Sequence, residues 1–249
     1  MALGNPSGAI SSVVAMNNHL IVHPQYAFAY DNSRGQANWV SWHLSMAWRG
    51  LAERCDCFEP DLLIPSGYFA AWTGNYTNTG FDRGHLCPSE DRDGSDVDNA
   101  ITFRMGNIVP QAPQMNQQTW ANMESFARDL AADDNELYII AGGYGEGGTG
   151  SQGYATSIAG GAIAVPARYW KVMVVIPEGT NDLQRITTDG ARVIAVDIPN
   201  TQNATSLEWY DYRVSVDDIE NSTGFDLLGL LPAPVQEMLE EEEDAGAVW

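Results

Sequence analysis

Residues 81–85 read Phe81-Asp82-Arg83-Gly84-His85, and further along the chain comes Asn116-Gln117-Gln118-Thr119-Trp120-Ala121-Asn122-Met123-Glu124. These are the residue types that phosphodiester hydrolysis calls for. The reaction needs a base to take a proton from water, a cation against the charge gathering on the phosphate oxygens, and groups that hold the substrate in line. Histidine, with an ordinary pKa of about 6.5, suits the first task in His85. For the second, magnesium keeps most of its waters and takes one or two protein oxygens, which the Asn116 amide and the Glu124 carboxylate offer. Arginine, planar and permanently charged, suits the third in Arg83. A bare Asp-Arg-Gly-His arises by chance in roughly one chain per thousand of this size, so its surroundings must carry the argument.

Those surroundings predict a helix over 114–132, since Pro113 precedes it, Gly and Pro are absent from its interior, and Met123, Phe126, Ala127 and Leu130 recur at helical intervals. Asn116, Trp120, Glu124 and Arg128 follow one another at i+4 and form one column, in which Glu124 and Arg128 can pair. Strands are expected at 26–30, 39–44, 137–141, 162–165, 169–176 and 192–198, and further helices at 44–51, 216–222 and 233–243. This mixture makes the class α+β, a central, largely antiparallel sheet with helices on its faces. With 44% hydrophobic residues the 249-residue chain can fill one domain spanning 1–249, its ends at 1–10 and 240–249 frayed. The glycine-rich run 142–153 lacks the Lys-Ser/Thr ending of a phosphate-cradling loop and reads as a mobile surface loop. No apolar run approaches membrane-spanning length.

The chain resembles the DNA/RNA non-specific endonucleases of the ββα-metal group, the family of the Serratia nuclease and endonuclease G, and most closely its cyanobacterial sugar-non-specific members. The likeness runs from Leu3-Gly4-Asn5-Pro6-Ser7-Gly8 through Asn38-Trp39-Val40, Ala52-Glu53-Arg54, Asp82-Arg83-Gly84-His85, Asp98-Asn99-Ala100 and Pro110-Gln111. It continues through Arg192-Val193-Ile194-Ala195-Val196, Val214-Ser215-Val216-Asp217, Thr223-Gly224 and Phe225-Asp226. The resemblance implies a ββα motif holding the site, with His85 as general base and Asn116 as the single direct protein ligand of a hydrated Mg2+, for which Mn2+ can substitute. Glu124 would hold the metal's water shell, and Arg54 would stabilise the charged transition state. Arg83 and Arg128 would lie near the scissile phosphate, with Arg92 as a further substrate contact, and Asp82 would support the motif. The implied products end in 5′-phosphate and 3′-hydroxyl. The rival readings are a catalytically silent nucleic-acid-binding module of the same fold and a zinc-site protein.

Charge sits oddly with a nucleic-acid partner. The formal charge is −21, from 33 acids against 12 bases, and Lys171 is the only lysine, whereas non-specific binders of nucleic acid carry a basic footprint. Arg49, Arg54, Arg83, Arg92, Arg104 and Arg128 all fall in the half with the motifs, so a small positive cleft on a negative body is expected, and with it tolerance of salt. If the family geometry brings Arg54 and His85 to one phosphate, Cys87 lies near them, and a disulfide from Cys87 to Cys55 or Cys57 follows. The alternative, a Cys3His zinc site of Cys55, Cys57, Cys87 and His85, would silence His85 as a base. The beginning, Met1-Ala2-Leu3-Gly4, has no basic region or long apolar core. Because an unrestrained nuclease damages its host genome, the expectation is a secreted or periplasmic protein whose leader is absent from this sequence, the alternative being a cytoplasmic form held by a protein inhibitor.

Overall fold

Residues 169–176 supply a side chain to each face of a sheet in turn. Tyr169, Met173 and Val175 enter one apolar cluster, and Trp170, Val172, Val174 and Ile176 enter the other, the period of two that extended chain imposes. The computed structural model describes residues 1–248 of the chain. Its first strands are β1 (His19–Val22), β2 (Ala27–Asp31) and β3 (Gln36–Leu44). A separate antiparallel pair, β4 (Asp82–His85) and β5 (Ile108–Gln111), flanks α1 (Asp96–Thr102) and leads through a π-helical turn at Met115–Trp120 into α2 (Ala121–Ala132). The chain then forms β6 (Asn135–Tyr144), the small pairs β7 (Gly148–Gly150) with β8 (Gly153–Ala155) and β9 (Ser157–Ile158) with β10 (Ile163–Ala164), and β11 (Arg168–Pro177). It ends with α3 (Asp182–Asp189), β12 (Arg192–Pro199), β13 (Arg213–Val214), α4 (Val216–Thr223) and α5 (Ala233–Glu240).

The main sheet runs β1-β2-β3-β6-β11-β12-β13, with every neighbour antiparallel. Its α2 face is sealed by Met123, Phe126 and Ala127, and its opposite face by Ile219, Leu227 and Leu228. This is an α+β architecture, and β4, β5 and α2 make the ββα unit that hangs beside the sheet. Among the described residues no helix is long and apolar enough to cross a membrane.

Several local expectations are corrected. The helix expected at 44–51 is a single 3-10 turn at Met46–Trp48, because β3 runs on to Leu44. The run 142–153 does not form a surface loop throughout: Gly142, Gly143 and Tyr144 complete β6, and residues 148–150 and 153–155 pair as a hairpin. Glycine is required there by close approach, since a Cβ on Gly142 would come within 2.4 Å of the Asn38 carbonyl oxygen and 2.8 Å of the Trp170 ring. The ends carry contacts where fraying is expected. Leu3 and Ala9 are buried, Arg192 donates two hydrogen bonds to Asp244 at 2.9 and 2.8 Å, and Val248 packs on the core, while Trp249 lies outside the described residues. Finally, α5 stops at Glu240 instead of reaching residue 243.

Candidate active site

His85 ends β4, where pairing with Ile108 of β5 fixes its backbone. Its ring is wedged against Phe58 at 5.7 Å and Phe103 at 4.8 Å between centroids. Only 8% of the residue stays exposed, and Nε2 is buried without a hydrogen-bond partner among the described residues. Burial foremost, then the positive charge of Arg54, pushes the imidazole pKa down to about 3. The ring is therefore neutral at every physiological pH.

The same two phenylalanines seat the arginines. The Arg54 guanidinium lies 5.0 Å from the Phe103 centroid and donates to Ser89 Oγ at 3.0 Å and Asp56 Oδ1 at 2.8 Å. The Arg83 guanidinium lies 4.4 Å from the Phe58 centroid. Arg83 is exposed and forms no ion pair among the described residues, which leaves its charge for a ligand. Arg128 pairs with Glu90 at 2.7 Å and Asp91 at 3.3 Å, so the expected Glu124–Arg128 pair gives way to these partners from the segment after β4.

Asn116 sits in the π-helical turn, and that wide turn breaks the expected column. Trp120 goes into the core at 1% exposure, while Asn116, Glu124 and Arg128 face one cavity. Asn116 Nδ2 donates to Asp82 Oδ2 at 2.8 Å, and Gln117 Nε2 donates to the same oxygen at 2.8 Å. A carboxylate only accepts, so the amide nitrogen must be the atom turned toward Asp82. The Asn116 oxygen is thereby released from the motif. With the Glu124 carboxylate in the same cavity, the donor set is the pair of hard oxygens that a largely hydrated Mg2+ takes, and the residues fit such an ion.

Behind Glu124 stands a residue that the motifs do not reveal. Lys171 Nζ lies 3.4 Å from Glu124 Oε1, only 1% of the residue is exposed, and its ammonium sits 4.3 Å from the Trp120 ring centroid. Burial raises the Glu124 pKa, opposed by Lys171 and then Arg128; burial lowers that of Lys171, opposed by Glu124 and Asp91. The available signal was a lone lysine inside the apolar run 169–176, on the face that alternation assigns to α2. Phe58 and Phe103 carried no signal of their own.

Arg54, Arg83, His85, Asn116, Glu124 and Arg128 all line one cleft of about 210 Å³, in which three arginines face two glutamates, Glu90 and Glu124. Arg92 is the exception. Its guanidinium is 1% exposed, donates to the carbonyls of Gln25, His43 and Asp91, and stacks 4.2 Å from the Trp48 centroid, so it supports the fold and cannot meet substrate. The cysteine pairing is also corrected. Cys55 bonds to Cys57, and Cys87 is a free, fully buried thiol whose pKa burial pushes up to about 12. A Cys87 bridge to Cys55 or Cys57 and a Cys3His zinc site are both excluded by this arrangement.

A family model described as DNA/RNA non-specific endonuclease matches residues 4–233. The chain is 42% identical over 244 residues to a nuclease of Nostoc sp., covering 98% of this chain and 85% of that one. It is 32% identical over 206 residues to the mitochondrial nuclease EXOG of Xenopus laevis, covering 80% of this chain and 55% of that one. Its fold matches a chain of the solved EndoG/EndoGI complex with a TM-score of 0.73 and 21% identity, over 87% of this chain and 88% of that one.

Proposed function

Because the chain belongs to the DNA/RNA non-specific endonuclease family, we propose that its cleft hydrolyses DNA and RNA with His85 as the base that takes a proton from the attacking water. The water oxygen bonds to phosphorus, the P–O3′ bond breaks with its electron pair going to O3′, which takes a proton from solvent while His85 returns its own to solvent, and the fragments carry 5′-phosphate and 3′-hydroxyl ends. Arg83, the unpaired cation of the cleft, grips the phosphodiester, and Arg54 offsets charge as it grows on the phosphate oxygens. The entering phosphate in turn offsets Arg54, which is one of the two causes of the depressed imidazole pKa, and so makes His85 a stronger base when substrate arrives.

Asn116 would hold Mg2+, or Mn2+ in its place, directly, with Glu124 acting through bound water. When bound, the ion neutralises charge on the phosphate and on the leaving oxygen. Asp82 orients the Asn116 amide, and Arg128 serves the phosphate while tied to Glu90 and Asp91. Export to an oxidising compartment, outside the cell or in the periplasm, agrees with the Cys55–Cys57 bond. The EndoG of the solved complex is bound by an inhibitor, as that complex's description states; a protein inhibitor for this cleft is the corresponding proposal.

One observation carries the reading: His85 and Asn116, whose amide nitrogen is held by the Asp82 carboxylate, line the same cleft. The experiment is digestion of plasmid DNA and of RNA with Mg2+, with the metal chelated, and with His85→Ala. Loss of cutting by about 100-fold or more on either change is expected from the usual size of general-base and metal contributions. Cutting that ignores both rejects the mechanism, and binding without cutting in the intact chain favours a silent module.

A further inference from the structure

Three carboxylates meet on the face of the sheet opposite the cleft. Asp217 and Glu220 stand one turn apart on α4, and Glu240 ends α5. One oxygen from each lies within 4.8 Å of the other two. Asp217 is exposed and Glu220 half-buried, but Glu240 is 6% exposed. Its Oε1 is fully enclosed and has no hydrogen-bond partner among the described residues. Among those residues, no arginine or lysine forms an ion pair with any of the three. Glu220 is oriented by the Leu227 backbone amide, which donates to Oε1 at 2.7 Å.

A buried carboxylate oxygen with no donor, set beside two further carboxylates, needs a positive partner. We propose that Asp217, Glu220 and Glu240 form a calcium site that ties α5 to α4. Calcium takes oxygens at about 2.4 Å in flexible geometry, so one ion can touch atoms spread over up to about twice that distance. The exposed side at Asp217 leaves room for the waters that complete its shell. Magnesium, with shorter bonds and a rigid octahedron, suits the spread less well. Glu240 lies beyond residues 4–233, so the site is not complete within the stretch that the family model matches. It does not depend on the reading of the cleft.

The test is calorimetric titration of the metal-free full-length protein with calcium, and its thermal unfolding with and without the ion. An Asp217→Asn, Glu220→Gln double variant and, separately, Glu240→Gln are measured alongside. The intact protein should bind one more calcium per chain than either variant, and its melting temperature should rise by roughly 5 °C at calcium far above Kd, a rise absent from the variants. Unaltered Mg2+-dependent digestion by the variants separates this site from the cleft. Equal stoichiometry and equal melting shifts in all three proteins overturn the proposal. So does a melting temperature that ignores calcium but rises as pH falls from about 8 to 6, since a proton would then be what Glu240 holds: burial and the neighbouring Glu220, Asp217 and Asp226 push its pKa up to about 7.

Discussion

As the proposed base, His85 must be uncharged to accept a proton, and burial against Phe58 and Phe103, then the charge of Arg54, favours that state down to about pH 3. In the unfolded chain the same ring titrates near its ordinary pKa of about 6.5. The folded protein therefore binds fewer protons between these values and loses stability as pH falls from about 6.5 to 3, with a limiting slope of about 1.4 kcal/mol per pH unit from this group. Denaturant unfolding across that window should fall more gently for His85→Gln than for the unaltered protein; parallel curves would mean that the ring is hydrated and titrates freely. On the proposed mechanism the acid limb of kcat/KM should then belong to Glu124, whose raised pKa is restrained by Lys171. Lys171→Met should shift that limb to higher pH. It should also destabilise the fold, toward the lower end of the roughly 3–5 kcal/mol seen when one partner of a buried pair is removed, because Glu124 keeps some contact with the cleft. A pH profile that stays in place in Lys171→Met would show that the limb has another owner.

The elements of the ββα unit convert these side chains into a site, and they were unevenly legible. β6, β11 and β12 are long and apolar at period two, so their places at 137–141, 169–176 and 192–198 could be read directly. β4 and β5 could not: each has four residues, with Gly84 inside one and Pro110 inside the other, and the pair persists because Gly84, His85 and all four residues of β5 are buried. The helix over 114–132 was legible as helix but not as a π-helical turn followed by α-helix, because that turn depends on tertiary packing of Trp120. The residues that line the cleft could be picked out from their motifs; the groups that touch them, Lys171, Phe58 and Phe103, come from elements far apart in sequence. Two side-chain bonds join β4 to the wide turn, from Asn116 and from Gln117 to Asp82. Asp82→Ala should leave the fold intact, since Asp82 is only half-buried, yet free the amide to rotate and raise the Mg2+ concentration needed for half-maximal cutting by about 10-fold or more. An unchanged metal requirement would mean that Asp82 does not orient Asn116.

At the scale of the whole molecule, a charge of −21 surrounds a cleft that must receive a polyanion. Most cations outside the cleft are already committed to carboxylates: Arg49 to Asp93, Arg104 to Glu59, Arg168 to Asp197, Arg185 to Glu136, and Arg192 and Arg213 to Asp244. Among the described residues only the arginines Arg54, Arg83 and Arg128 bring positive charge to the cleft lining, and two of these already hold carboxylates. Two effects of salt then oppose each other. Counterion release weakens binding with a log–log slope of about −0.9 per phosphate neutralised, so three arginines give a slope no steeper than about −3. Against it, shortening the Debye length from about 8 Å at physiological salt to about 3 Å at molar salt removes the long-range repulsion between substrate and the acidic surface, and the self-repulsion of the fold as well. With so few phosphate contacts and so many acids, screening should win at moderate salt. Digestion measured from low salt to about 1 M NaCl at fixed Mg2+ should hold steady or peak at several tenths molar, with the melting temperature rising over the same range. A rate that declines steadily from the lowest salt would show that the cleft's few contacts, and not the surface field, govern encounter with nucleic acid.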